Sequence, residues 1–173
     1  SAASDVYKRQ TLMNAMKKNP EFKLKIVGAG PLENELKTYK EQHRLNNIEF
    51  LGYKSGEELT QLKKQAYFTV VPSEYYENNP MAIIESYAEG VPAIGSKIGG
   101  IPEIIKEGKT GYIFTPKNDK ELAELIKKAA NLTRVEYLTM SNNAIKFAQK
   151  DMSKESYYNR LIPVSYTHLR AHE

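Results

Sequence analysis

The sequence predicts a doubly wound α/β domain, in which a mostly parallel, Rossmann-like sheet is followed by a helical C-terminal segment. Two observations predict this fold. Short apolar segments alternate with single segments of helical periodicity, so a crossover helix joins each strand to the next and the strands run parallel. The strand segments are short and largely apolar, as is typical of strands that helices cover on both faces. We expect residues 10–162 to form this one domain.

Turn and capping signals bound the elements in the first half of the chain. A helix over Thr11–Lys18 ends at Asn19-Pro20, because the residue before a proline disfavours helical backbone. The next helix is expected over residues 32–43. Ser55 and Glu58 have the spacing of a capping box at the start of a third helix. The strands of the whole domain are predicted at Phe22–Val27, Ile48–Leu51, Tyr67–Val71, Val91–Gly95 and Gly111–Phe114.

The later helices begin at residues that favour helix starts. Pro80 fits the first position of a helix over residues 80–89, with Asn79 as its N-cap. Met81, Ile84 and Ala88 would form the packed face of that helix. Further helices are expected from Ile101, over Asp119–Asn131 after a cap at 118 or 119, over Arg134–Gln149 after Thr133, and over Lys154–Ile162 after Ser153.

Composition excludes several classes of protein. The 173 residues include no Cys, which excludes disulfide scaffolds, thiolate metal sites and cysteine nucleophiles. The formal charge is only +4 and its charges are interspersed, so no nucleic-acid partner is expected. With three His, no metal site is expected either. No apolar run approaches the ~20 residues of a membrane helix. We expect a cytoplasmic protein, with peripheral attachment to the inner face of the membrane left open for the full-length protein.

The two ends of the chain match neither helical nor strand periodicity. We expect Ser1–Arg9 and Pro163–Glu173 to be non-native tails, such as translated adapter sequence. Ordinary disordered termini are the alternative. If the tails are non-native, the chain is a piece of a longer protein.

In an open parallel sheet, ligands bind outside the carboxyl ends of the strands. The segment Gly28-Ala29-Gly30-Pro31 lies at such an end and opens a helix. A dinucleotide fingerprint would need a small residue three positions after its second glycine, where this chain has Glu33. A plain tight turn, a nucleotide-binding edge and a nicotinamide or flavin site all remain open for this segment.

After Tyr67–Val71, the chain places Glu77 ahead of the next predicted helix and Glu85 within the first two turns of that helix. Glu85 adjoins the predicted packed face, and a charge there needs a partner. The vicinal hydroxyls of a ribose would offer two donors to its two oxygens. The amides at the start of the same helix would favour a diphosphate. A solvated helix residue and a turn carboxylate are the alternatives for Glu85 and Glu77.

Residues 11–125 resemble the C-terminal, donor-binding domain of the retaining GT-B glycosyltransferases, the "glycosyl transferases group 1" family. Each matching stretch is weak alone, and their order and spacing make the resemblance specific. The stretches are Lys25–Pro31, Ile48–Gly52, Val70–Ser73, Glu77 with Glu85, Glu89–Ala93, Gly99–Glu103 and Gly108–Tyr112.

The resemblance implies residue roles at a site for a nucleotide-diphosphate sugar. Glu85 would hold the ribose hydroxyls, and Glu77 would contact the transferred sugar near its anomeric centre as a nucleophile or an electrostatic stabiliser. Asn79, Pro80 and Met81 would line the sugar and diphosphate, Gly52, Tyr53 and Lys54 would border the base, and Gly28 and Gly30 would complete the donor site.

The implied function is transfer of a sugar with retention of configuration, without metal or cofactor. The acceptor, a glycan, lipid or polysaccharide, would bind an N-terminal domain that this chain lacks. The family's phosphate-binding Arg and Lys would precede the first helix, where Ser1–Gln10 shows no such motif. We therefore expect the chain to be inactive alone. An NAD- or FAD-binding Rossmann protein and a non-catalytic nucleotide-binding remnant are the competing interpretations.

Overall fold

A computed structural model describes residues 2–76 and 80–151, with the side chains of residues 10–76 and 80–150. Strands and helices alternate along these ranges until two helices close the fold. In chain order the elements are α1 (Ala2–Lys17), β1 (Leu24–Val27), α2 (Glu33–Gln42), β2 (Ile48–Gly52), α3 (Gly56–Gln65), β3 (Thr69–Val71), α4 (Met81–Ala88), β4 (Ala93–Ser96), α5 (Ile101–Ile104), β5 (Gly111–Phe114), α6 (Asp119–Ala130) and α7 (Arg134–Asp151).

Every strand pairing within the described ranges is parallel, as predicted. β1 pairs with β2, with Leu24 opposite Ile48. β4 lies between β3 and β5, so that Ala93 is opposite Thr69 on one side and Gly111 on the other. The strands thus form a two-stranded and a three-stranded hydrogen-bonded sheet in place of one continuous ladder.

Helices cover both faces of the three-stranded sheet, which confirms the doubly wound prediction. Alternate residues of a strand point to opposite faces, and in β5 Tyr112 and Phe114 belong to one core while Ile113 packs against another. The first core combines α1, α2 and α6 with β1, β2, β4 and β5. The second combines α4, α5 and α7 with β4.

Two predicted caps form. Asn118 Oδ1 accepts a hydrogen bond from the Glu121 amide at the start of α6, at 3.0 Å. At the start of α7, the Glu136 amide donates to Thr133 Oγ1 at 3.2 Å, and the Thr133 amide donates to Glu136 Oε2 at 2.7 Å. This second pair is a complete capping box, which satisfies two amides that the helix itself leaves unpaired.

Other boundary predictions are wrong. α1 begins at Ala2, well before Thr11. Ser55 is the N-cap of α3, as predicted, but the capping box does not form: the Ser55 side chain makes no capping hydrogen bond, and Glu58 instead pairs with Lys54 at 2.7 Å. Pairing with a lysine four residues earlier competes with the reach back to the Ser55 amide.

The start and packed face of α4 also differ from the prediction. Pro80 is the N-cap of α4 and not its first helical residue. Of the predicted packed residues, Ile84 is buried and Met81 packs against the core, but Ala88 is exposed. The other buried residues of the helix are Ile83, Ser86 and Tyr87. The cap predicted at Asn79 and the helix predicted over 154–162 lie outside the described residues, as does the tail predicted over 163–173.

None of the helices within the described ranges combines the length and the hydropathy needed to cross a bilayer.

Candidate functional site

The loops after β1 and β2 are joined by a backbone hydrogen bond. The Gly28 amide donates to the Gly52 carbonyl at 2.8 Å. Both residues have positive φ, 122° at Gly28 and 70° at Gly52, a backbone conformation that glycine adopts without steric cost. A Cβ on Gly28, Gly30 or Gly52 would meet no atom within 4 Å. Two of the predicted glycine positions therefore meet, and all three border open space.

Glu33 argues against one interpretation of the Gly28–Pro31 segment, the nicotinamide or flavin site. Its amide donates to the Gly30 carbonyl at 3.0 Å, and its carboxylate pairs with Lys37 at 2.7 Å along the outside of α2. A dinucleotide site needs a small residue here so that the helix can pack closely. A carboxylate turned to an ion pair does not fit that packing, so the geometry does not favour an NAD or FAD site.

The loop between β2 and α3 presents an aromatic ring beside the glycine turn. Tyr53 follows Gly52 directly and is 74% exposed. Lys54, which was predicted at the border of a base, has its ammonium in the ion pair with Glu58. Tyr53 therefore offers a flat, accessible surface, whereas the Lys54 ammonium is paired with a residue in the first turn of α3.

Glu85 lies on the exposed side of α4, opposite the buried Ile83 and Tyr87. Its side chain is 47% exposed, and its Oε2 accepts a hydrogen bond from the Lys63 ammonium on α3. The sequence predicted that this carboxylate needs a partner because it adjoins the packed face. The structure places it nearer to solvent and supplies a lysine.

A second ion pair joins α3 and α4. The Lys64 ammonium lies 3.6 Å from a carboxylate oxygen of Glu89. Consecutive lysines of α3 thus face Glu85 of α4 and Glu89, the residue that caps the C-terminal end of that helix. No sequence motif predicts these two contacts, because each depends on how the two helices pack.

The start of α4 contributes the amides of Met81 and Ala82, which belong to the first turn and so have no partner within the helix. Pro80 is buried and has no amide hydrogen. Its carbonyl accepts from the Ile83 amide at 3.0 Å. Glu77 and Asn79 lie outside the described residues, so their predicted roles stay predictions.

Glu74 is a buried carboxylate that the sequence reasoning passed over. Its side chain is 2% exposed, and its Oε1 accepts from the Thr11 hydroxyl of α1 at 3.2 Å. The Lys117 ammonium lies 4.0 Å from Oε2, which accepts no hydrogen bond from any described residue. The Ser96 hydroxyl donates a hydrogen bond to the carbonyl of Ser73, the residue before Glu74. These contacts tie the loop after β3 to α1 and to the end of β4. The only sequence signal for Glu74 was its place in that loop.

Within the ranges 10–76 and 80–150, no three acidic or histidine side chains come close enough together to hold a metal ion. The two tyrosines before Glu77 are accessible, with Tyr75 50% and Tyr76 75% exposed. The described part of the site therefore combines an open glycine edge, an aromatic ring, a helix start and one paired, accessible carboxylate.

The chain is similar in sequence to known glycosyltransferases. A relative from Salmonella typhimurium, the putative colanic acid biosynthesis glycosyltransferase WcaL, is 30% identical over 135 residues, which are 75% of this chain and 32% of WcaL. The chain spans about a third of the curated relatives it matches.

Solved structures share the fold. The sucrose-phosphate synthase of Thermosynechococcus elongatus superposes with a TM-score of 0.79 at 26% identity, over 94% of this chain and 42% of that one. HepE of Anabaena, solved in complex with UDP, has a TM-score of 0.79 at 22% identity, over 91% of this chain and 44% of that one. These likenesses confirm the predicted GT-B type of α/β fold.

The family model described as "Glycosyl transferases group 1" matches residues 6–151, which is most of the chain and extends beyond the 11–125 of the sequence resemblance on both sides. This match confirms the predicted resemblance, and the chain belongs to the glycosyl transferases group 1 family.

Proposed function

We propose that the chain is the donor-binding part of a retaining glycosyltransferase that takes its sugar from a nucleotide-diphosphate donor. One observation carries the proposal: Glu85 presents a carboxylate that is 47% exposed, on the first helix after β3. This carboxylate can accept two hydroxyl hydrogens, which matches the vicinal diol of a ribose.

The other parts of the nucleotide have matching surfaces in the proposed site. The base lies against the exposed ring of Tyr53, beside the turn at Gly52. The diphosphate lies at the start of α4, where the amides of Met81 and Ala82 and the helix dipole favour negative charge. Gly28 and Gly30 keep the neighbouring edge free of side chains, which is consistent with a ligand that approaches the backbone there.

In the proposed reaction, the bond from the anomeric carbon to the diphosphate oxygen breaks and its electron pair leaves with the diphosphate. A new bond forms from the anomeric carbon to an acceptor hydroxyl on the same face of the sugar, and the hydroxyl proton passes to the released diphosphate or to solvent. The helix start stabilises the charge that develops on the leaving group. Glu77 acts near the anomeric carbon, as a nucleophile or as an electrostatic stabiliser.

Two similar proteins support the choice of donor and acceptor. HepE was solved with UDP, which supports a nucleotide diphosphate as the ligand. WcaL is named for colanic acid biosynthesis, which supports a glycan or polysaccharide acceptor. Because the chain spans about a third of such relatives, we propose that the acceptor binds a part of the protein outside this chain and that the chain alone does not transfer sugar.

Calorimetric titration of UDP and of GDP into the 173-residue chain tests the proposal. We expect at least one of the two to bind, and Glu85→Ala to weaken that binding about tenfold, as for a lost charge-assisted hydrogen-bond pair. Binding of neither nucleotide by the wild-type chain contradicts a donor site. Equal binding by both proteins contradicts the role of Glu85.

A further inference from the structure

The contact with Lys63 restricts the position of the Glu85 carboxylate. The lysine side chain is 20% exposed, so most of its stem is covered, while the carboxylate it contacts is 47% exposed. A covered stem restricts where the ammonium can lie. The better-fixed group of this pair is therefore the cation, and it constrains the more mobile carboxylate.

The contact leaves part of the carboxylate available to a ligand. A carboxylate has two oxygens and about four lone-pair sites. The Lys63 ammonium occupies Oε2. The described residues place no other hydrogen-bond donor on Glu85, so Oε1 and the remaining site on Oε2 can accept hydroxyl hydrogens, and an ion pair and a diol can share Glu85.

The same contact changes the charge that a ligand meets. A nucleoside diphosphate is an anion, and an unpaired carboxylate beside its ribose would repel it. The adjacent ammonium cancels that repulsion at a range of a few ångströms. Lys63 thus favours an anionic ligand in addition to orienting Glu85.

We propose that Lys63 is a positioning residue of the donor site, which holds the Glu85 carboxylate in the orientation that receives the ribose hydroxyls and neutralises its charge toward the diphosphate. This inference rests on the proposed function of Glu85. It differs from the proposal that Lys63 competes with the ligand, because the ammonium stays on Oε2 when the nucleotide binds.

Lys64 provides a matched control. It is the next residue of the same helix, carries the same charge and pairs with Glu89, the residue that caps the C-terminal end of α4. Lys63→Met and Lys64→Met therefore remove one cation each from adjacent positions of α3. Only Lys63→Met removes the contact with Glu85.

The test is calorimetric titration of UDP and GDP into the wild-type chain, Lys63→Met, Lys64→Met, Lys63→Arg, Glu85→Ala and the double variant Lys63→Met/Glu85→Ala. We expect Lys63→Met to weaken binding by about twofold to fivefold, the range of an exposed ion pair. Lys64→Met should change the affinity by less than about 1.5-fold. Lys63→Arg should keep the wild-type affinity, because arginine can form the same ion pair. In the Glu85→Ala background, Lys63→Met should weaken binding by less than it does in the wild type, because the contact that orients the carboxylate is already gone. Thermal unfolding of each variant shows that the comparison is between folded proteins.

Several results would overturn the inference while the proposed function stands. Tighter binding by Lys63→Met means that the ammonium competes with the ribose. Equal losses in Lys63→Met and Lys64→Met mean that only overall charge matters. An undiminished effect of Lys63→Met in the Glu85→Ala background means that Lys63 acts apart from Glu85. A wild-type chain that binds neither nucleotide overturns the proposed function, and this inference with it.

Discussion

Lys63 and Glu85 are 22 residues apart in the sequence, yet their side chains form an ion pair between α3 and α4. α3 follows β2 and α4 follows β3, so the pair joins the helices that leave two strands of different sheets. The parallel contact of Lys64 with Glu89 repeats the connection one residue further along α3. The candidate ribose-binding carboxylate is therefore part of a helix–helix contact and not a free side chain.

Gly111 has no room for a side chain in the three-stranded sheet. A Cβ at this position would lie 1.8 Å from the Ala93 carbonyl oxygen on β4. We expect Gly111→Ala to lower the free energy of unfolding by more than about 3 kcal/mol, because strand backbone cannot move aside without breaking the β4–β5 ladder. Urea denaturation followed by circular dichroism measures this change. A stable Gly111→Ala variant would contradict the described pairing of β4 and β5.

Gly30, unlike Gly111, has room for a side chain. A Cβ here would meet nothing within 4 Å, and the residue does not have a positive φ. We expect Gly30→Ala to leave the free energy of unfolding within about 0.5 kcal/mol of the wild type. The same variant should bind nucleotide more weakly if the ligand approaches the backbone at Gly30, as proposed. Unchanged binding by this stable variant would remove Gly30 from the donor site.

Tyr87 makes stability depend on alkaline pH. Burial raises the pKa of its phenol above the ordinary value of 10.0, with the hydrogen bond to Thr110 acting in the opposite direction. A raised pKa in the folded state contributes stability that is present below the ordinary pKa and is lost as pH rises through the folded pKa. Unfolding curves should therefore shift to lower denaturant above about pH 10.

Tyr87→Phe separates this ionisation from that of the other tyrosines. Near neutral pH the variant should lose about 1 kcal/mol with its hydrogen bond to the Thr110 hydroxyl, which is 2.8 Å long. Above about pH 10 the difference between variant and wild type should shrink or change sign, because phenylalanine does not ionise. A constant difference across this range would mean that Tyr87 does not titrate with unfolding.

The capping box of α7 should make stability depend on acid pH. The hydrogen bond from the Thr133 amide, and then that from its side chain, lower the pKa of Glu136 below the ordinary 4.5. A lowered pKa contributes stability above the ordinary value, which is lost as pH falls through the folded pKa. We expect Glu136→Gln to unfold at a lower temperature than the wild type at neutral pH and at the same temperature near about pH 3, as measured by calorimetry.

Glu124 serves as the control for this prediction, since it is an exposed glutamate on α6. Glu124→Gln should unfold like the wild type at both pH values. A difference between Glu136→Gln and wild type that persists in acid would show that the cap acts through the shape of the side chain and not through its charge.

The sequence was sufficient to predict elements that local rules determine. β5 lies at Gly111–Phe114 as predicted, and the caps at Asn118 and Thr133 form because each side chain reaches an amide only three residues away. The side-chain hydrogen bonds of the capping box at Ser55 do not form for an equally local reason, since Lys54 offers Glu58 a competing partner. Where two local interactions compete, the pattern alone does not decide between them.

Tertiary contacts account for what the sequence did not predict at the site. Glu85 lies near solvent because Ile83 and Tyr87, on the opposite side of α4, are the residues that pack into the core. Its partner Lys63 is set by the packing of two helices. The burial of Glu74 likewise depends on α1 lying over the loop after β3. No residue spacing in the sequence predicts these contacts between separate elements.

The most direct measurement of the central claim compares a nucleoside diphosphate with its 2′,3′-dideoxy analogue, on the wild-type chain and on Glu85→Ala. Glu89→Ala is the matched control, because Glu89 is a lysine-paired glutamate of the same region. If Glu85 holds the ribose hydroxyls, the wild-type chain and Glu89→Ala should bind the dideoxy analogue about tenfold more weakly than the parent nucleotide, and Glu85→Ala should bind both equally. A wild-type chain that does not distinguish the two ligands, or a Glu85→Ala variant that still does, would contradict the account.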